Sequence, residues 1–158
     1  MKEKKYYLAY GSNLNVRQMQ MRCPGAKPVG TAEIKDYRLL FKGSKTGSYF
    51  TIEKAVGQTV PVGVWEVVDY HEHQLDRYEG FPTFYYKKEF DVLVDDWKRK
   101  KRIKRKAFAY VMHEDHLIGL PSMQYVRTCA EGYDDFGLDA DYIVKAVEYS
   151  NDHCGMVS

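Results

Sequence analysis

Residues 5–17 read Lys5-Tyr6-Tyr7-Leu8-Ala9-Tyr10-Gly11-Ser12-Asn13-Leu14-Asn15-Val16-Arg17. Tyr6 to Tyr10 form an aromatic, apolar run that predicts a buried strand. Gly11-Ser12-Asn13 then suits a tight turn. From Leu14 through Val16, Arg17, Gln18, Met19 and Met21 the pattern opens a helix, with Asn13 or Asn15 as cap. A strand that turns sharply into a helix start leaves unpaired backbone N–H groups converging on one place. Together with the helix dipole they suit an anion such as a carboxylate. Gly11 has no Cβ and lets a ligand approach the backbone. On pattern alone the stretch fits an ordinary strand–turn–helix as well as a ligand loop.

The 158 residues read as one domain, long enough for its own core. Hydrophobic residues make up 44% and charged residues 29%, an ordinary globular balance. The departure is the aromatic content of 15%, with 14 tyrosines, a residue able to line a pocket with both ring and hydroxyl. The apolar run near the start is too short for a signal peptide, and no window has transmembrane length. Cys23, Cys129 and Cys154 are widely spaced and odd in number, which argues against a disulfide framework and for a cytoplasmic protein with free thiols. A net charge of +2 is uninformative about partners.

Further along, Cys23 to Pro28 breaks the chain, and Val29 to Lys42 reads as a long or bent strand. A polar loop is expected at Gly43–Gly47, a short strand at Ser48–Ile52, a turn at Val56–Pro61 and a buried strand at Val62–Val68. Asp69 and Glu72 have the spacing of a capping box, opening a helix that ends at Glu79-Gly80 before Pro82. Phe84–Val94 and Ile103–Met112 alternate as a hairpin joined by the charged stretch Asp95–Arg102. Ser122 caps a helix closing near Gly132 or Gly137, and Asp139 caps a last one over Ala140–Tyr149. Strands grouped apart from helices, without βαβ alternation, predict an α+β fold with a mixed or antiparallel sheet.

Glu79 is a candidate for chemistry, although an arbitrary glutamate before a helix-ending glycine more often simply faces solvent. A carboxylate at a helix C-terminus, followed by Phe81, Phe84, Tyr85 and Tyr86, has its pKa raised by dipole and burial alike, which suits proton transfer. Tyr86 and Tyr110 fall on adjacent strands and can set hydroxyls over the site, although strand tyrosines packing across a sheet fit each of them as well; Tyr125 is a weaker candidate. The run Lys98–Lys106 is basic enough to suggest a polyanion, yet it reads better as a solvated hairpin connection balanced by Asp91, Asp95 and Asp96. His71, His73, His113 and His116 lack companions for a metal site, so no metal is expected.

Tyr10-Gly11-Ser12-Asn13-Leu14 after an N-terminal strand resembles the signature loop of the γ-glutamylcyclotransferase family. The resemblance extends to Val62–Val68, to Leu75-Asp76-Arg77-Tyr78-Glu79-Gly80, and to a looser tail of Pro121-Ser122, Tyr125, Gly132, Gly137-Leu138 and Tyr142. Asp139 departs from the proline frequent there. The resemblance implies a small mixed β-barrel of about six strands with helices around it, its pocket at one barrel end. It implies cleavage of a γ-glutamyl amide by internal cyclisation to 5-oxoproline and a free amine, with no cofactor. Glu79 would carry the proton, and Tyr10, Gly11, Ser12, Asn13, Leu14, Tyr86 and Tyr110 would hold the small-molecule γ-glutamyl substrate. Nucleic acid and membrane are not expected partners, and a homodimer is left open. The rival is a non-catalytic member of the fold that binds a small ligand or a polyanion.

Overall fold

The computed structural model describes residues 3–44 and 47–157. In chain order these form β1 (Lys5–Ala9), a 3₁₀ turn (Ser12–Leu14), α1 (Val16–Arg22), β2 (Lys27–Ser44), β3 (Gly47–Val67) and α2 (Asp69–Glu79). There follow β4 (Tyr85–Asp96), β5 (Lys101–Met112), β6 (Leu117–Ile118), α3 (Met123–Phe136) and α4 (Asp141–His153). The strands run in the order β3-β1-β5-β4-β2, and β2 pairs with β3 again, so the sheet closes into a barrel. Strand β6 adds to the edge of β2 at Lys42 and Gly43. The β1–β5 contact is parallel at Tyr7–Phe108 and the other pairings are antiparallel, so the barrel is mixed, as expected.

Strand β1 explains why the barrel organises around the quoted stretch. Tyr7, Leu8 and Ala9 are all buried, because one face meets the barrel interior and the other is covered. Its end leads directly into the turn. Leu14 and Met19 sink into the core, and the indole of Trp65 on β3 donates to Asn13 O at 2.9 Å, pinning the turn to the wall. Helix α3 lies against the outside of that turn. It starts where Ser122 Oγ accepts the Tyr125 N–H at 3.1 Å, as its sequence predicts, and ends at Gly137, in the left-handed region, the later of the two ends the sequence allows.

Four local expectations are corrected. Val56–Pro61 is no turn: β3 runs through it. Registry jumps from Tyr37–Lys54 to Lys35–Thr59, so the extra residues bulge outward. The turn signal was real at smaller scale, since Gly57 and Asp36 both have positive φ and Gly57 N donates to Asp36 Oδ1 at 3.0 Å. The expected loop at Gly43–Gly47 shrinks, with strands paired as far as Ser44–Gly47; Lys45 and Thr46 lie outside the described residues. Asp69 is the first residue of α2, not its cap. The cap position is Val68, whose N–H donates to His71 Nδ1, while His71 Nε2–H donates to Pro24 O at 2.8 Å. Glu72 binds Lys5 and Lys87 instead, at 2.7 and 2.6 Å. Helix α4 begins after Ala140, with Asp139 Oδ1 accepting from Asp141 N, and continues to His153.

The basic run sits where β4 turns into β5. Arg99 pairs with Asp96 and Arg102 with Asp95, both at 2.9 Å, and across the ladder Asp91 stands opposite Lys106. Tyr110 lies nine residues along β5 from Lys101, a separation of about 30 Å at strand rise.

Candidate active site

Helix α1 and the turn before it divide their two asparagines by role. Asn15 is the cap, its Oδ1 accepting from Gln18 N at 3.1 Å. Asn13 is thereby free to face inward, and its Nδ2 donates to Tyr7 Oη at 2.9 Å and reaches Glu79 Oε1 at 3.4 Å. The turn's own backbone bonds engage the N–H groups of Leu14 and Asn15, which leaves those of Ser12 and Asn13 unclaimed by the turn. Ser12 Oγ lies 3.2 Å from Tyr78 Oη.

These groups wall a cavity of about 270 Å³ lined also by Tyr10, Gly11, Tyr49, Phe50, Phe84, Tyr85, Tyr110 and Tyr125. Most of its phenols already spend their hydroxyls on the protein. Tyr10 donates to Tyr110 O, Tyr85 to Phe50 O at 2.9 Å and Tyr110 to Asp76 Oδ1 at 2.6 Å. Tyr125 Oη accepts the Phe50 N–H at 3.1 Å. Tyr10, Tyr85 and Tyr110 therefore present mainly ring to the cavity, and the turn and Glu79 are polar groups on its wall. Burial holds Tyr7, Tyr10, Tyr85 and Tyr125 well above the ordinary phenol pKa, so they are neutral. A larger open groove, about 860 Å³, lies where β2 and β4 splay apart beyond their short pairing at Gly30–Asp96 and Thr31–Asp95; it contains neither the turn nor Glu79.

Glu79 closes α2, with Gly80 beyond it in the left-handed conformation that ends the helix. By surface area the residue is half-buried, but its carboxyl faces the aromatic cavity and not open water. Burial pushes its pKa up to about 8, with the Arg22 guanidinium pulling the other way. A carboxyl poised there can both accept and return a proton near neutral pH.

The structure brings Tyr10, Gly11, Ser12, Asn13, Glu79 and Tyr110 to this one cavity, and Tyr125 with them. Leu14 stands behind the turn, fully buried in the core. Tyr86 is elsewhere. Pairing sets Tyr85 opposite Met112 and Lys87 opposite Tyr110, so Tyr86 points to the other face, where its hydroxyl donates to Glu114. The sequence reading was one residue out of register, and Tyr85 is the tyrosine that lines the cavity. It also passed over Tyr7, visible in the same aromatic run, and Arg22, whose place beside Asn13 no local pattern announces. Among the described residues no three His, Cys, Asp or Glu side chains gather to hold a metal ion, and no helix is long and apolar enough to cross a membrane.

Residues 7–127 match the family model described as "Gamma-glutamyl cyclotransferase, AIG2-like". The chain is 31% identical to the gamma-glutamylcyclotransferase of Homo sapiens, the match covering 96% of this chain and 82% of that one. The Bos taurus gamma-glutamylcyclotransferase is 31% identical over the same shares. A solved gamma-glutamyl cyclotransferase superposes with a TM-score of 0.76 at 28% identity, covering 99% of this chain and 94% of its own. With that match over most of its length and the closed barrel, the chain belongs to the AIG2-like gamma-glutamyl cyclotransferase family.

Proposed function

We propose that the protein cleaves a γ-glutamyl amide by intramolecular cyclisation, releasing 5-oxoproline and a free amine or amino acid. The observation that carries this reading is Glu79, its pKa raised to about 8, facing a cavity that begins at the Gly11–Asn13 turn. The glutamyl carboxylate would accept from the Ser12 and Asn13 N–H groups. Its α-nitrogen then bonds to the γ-carbonyl carbon, and the carbon–nitrogen bond to the leaving amine breaks. Glu79 takes the proton from the attacking nitrogen and returns it to the leaving one. Nucleophile and electrophile share one molecule, so the cavity's main task is to hold the substrate curled; such orientation is worth several kcal/mol. Tyr10, Tyr85 and Tyr110 shape that fold through their rings, and Tyr86 has no part in it.

Incubation with γ-glutamyl amino acids, γ-glutamylamines and glutathione should yield 5-oxoproline and the amine in equal amounts from at least one of them. Absence of 5-oxoproline from all of them, with a folded protein, overturns the proposal. The polyanion-binding alternative is tested at the hairpin. Serine at Lys100, Lys101 and Arg102 should leave turnover near wild type. Tight, salt-sensitive nucleic-acid binding that this triple variant loses would favour the alternative.

Gly11→Val probes the turn. A Cβ at Gly11 falls 3.0 Å from Tyr125 Oη and 3.4 Å from Phe50 Cβ, so the residue is small to admit Tyr125 as well as a ligand. Valine should displace Tyr125 from the Phe50 N–H and weaken 5-oxoproline binding at least about tenfold. Overpacking of about 1–3 kcal/mol lowers stability with it. Calorimetric titration and a thermal melt read both effects, and an unchanged Kd would remove the turn from the binding site.

A further inference from the structure

Arg22, the last residue of α1, hydrogen-bonds the turn from the α1 side. Its Nη1 donates to Asn13 Oδ1 and reaches Ser12 Oγ at 3.4 Å. Its guanidinium carbon lies 3.3 Å from the centre of the Tyr78 ring, a stacked geometry that holds it in place from the α2 side. An arginine only donates, so the Asn13 atom it touches must be the amide oxygen. The Asn13 nitrogen is then compelled to point the other way, to Tyr7 Oη at 2.9 Å and Glu79 Oε1 at 3.4 Å. Without Arg22 the amide is free to turn over and set its oxygen against the carboxylate.

We propose that Arg22 is a positioning residue of this site: it fixes the Asn13 amide with its N–H toward Glu79 and supplies the countercharge for the ionised carboxyl. The inference rests on the cyclotransferase reading for its kinetic consequence, not for its geometry. Countercharge is needed because the other groups facing Glu79 give none. From β1 come Tyr7 and Tyr10, from β4 Tyr85, from β5 Tyr110 and from α3 Tyr125, all neutral phenols. On α2 itself Asp76, one turn earlier, is already bound by Lys87 at 2.9 Å and by the Tyr110 hydroxyl. Lys87 is thus committed to Asp76 and Glu72.

The test has two readouts. Titration of the Glu79 carboxyl by carbon NMR in wild type, Arg22→Gln and Arg22→Lys follows the pair directly, with or without turnover. The pH dependence of 5-oxoproline formation follows its consequence. In Arg22→Gln the Glu79 midpoint should rise by about one unit or more, since loss of a nearby opposite charge disfavours the ionised form. At pH 7 that change alone lowers kcat/KM about tenfold. Arg22→Lys should restore most of the midpoint and leave kcat below wild type at every pH, because a point charge cannot hold the amide as the planar fork does. An Arg22→Gln protein that melts lower but keeps the wild-type midpoint shows a structural role and overturns the inference. If Arg22→Gln does not fold, Arg22→Lys decides: wild-type kcat on the high-pH plateau overturns the positioning role, and a reduced plateau supports it. Should no form of the protein make 5-oxoproline, the NMR midpoints still test Arg22, and the failure belongs to the proposed reaction.

Discussion

Glu79→Gln is expected to slow 5-oxoproline formation by about a hundred- to ten-thousand-fold, the usual contribution of a general acid–base group. Glutamine keeps the shape of the side chain and a hydrogen-bonding end, but it cannot carry a proton between two nitrogens. Binding of 5-oxoproline should change much less, since the Gly11–Asn13 turn is proposed to do the holding. In the wild type kcat/KM should climb with pH through about 8 as Glu79 ionises, and the variant's residual activity should lack that limb.

Stability supplies an independent check on the same residue. The folded protein holds the Glu79 proton up to about 8, against an ordinary value of 4.5. Between those limits the folded state binds more protons than the unfolded one. The contribution is therefore full below about 4.5 and is lost as pH rises toward 8. Glutamine escapes this loss. Solvent at the cavity mouth discounts the full shift, so the variant should gain about 2 kcal/mol on wild type between pH 5 and pH 9. Melting temperatures taken across that range measure it. A Glu79 that served structure alone would give the reverse pair of results, a less stable variant with an unchanged rate.

What could be read from the chain follows the range of the interactions involved. The strand–turn–helix of residues 5–17, the Glu79-Gly80 helix end and the Ser122 cap are local, and their residue types declare them. The barrel's closure is not local. It depends on β2 and β3 pairing along nearly their whole length, and a Gly57 signal that says "turn" becomes a bulge once the two long strands are aligned. The same limit explains the tyrosines. Composition allowed a tyrosine-lined pocket without requiring one, and the choice between Tyr85 and Tyr86 is a choice of strand face, decided by pairing with β5. Arg22 is the extreme case: its meaning comes from Asn13 and from Tyr78, more than fifty residues away, brought together by the packing of α1 on α2.

That dependence on packing yields a large expected loss of stability at Gly132. This glycine lies inside α3, where glycine ordinarily weakens a helix by about 1 kcal/mol relative to alanine. Its use is proximity. A Cβ there would stand 2.5 Å from Asn15 N and 2.6 Å from Leu14 C, backbone atoms of the very turn that opens the cavity. Neither atom can swing aside as a side-chain tip would. Gly132→Ala must therefore lift α3 off the turn, and with it Tyr133, whose hydroxyl donates to Tyr10 O at 3.2 Å, and Tyr125 above Phe50. The helix-propensity gain is small against this. Overpacking at a backbone contact should lower stability by about 3 kcal/mol or more, a fall in Tm of roughly 6–12 °C for a chain of this size. The neighbouring Glu131→Ala, which removes an exposed ion pair with Arg17, should cost under about 1 kcal/mol. Because the displaced atoms belong to the turn, Gly132→Ala should also weaken 5-oxoproline binding while Glu131→Ala leaves it alone. Equal melting temperatures for the two variants would mean that α3 is not held against the turn in this way.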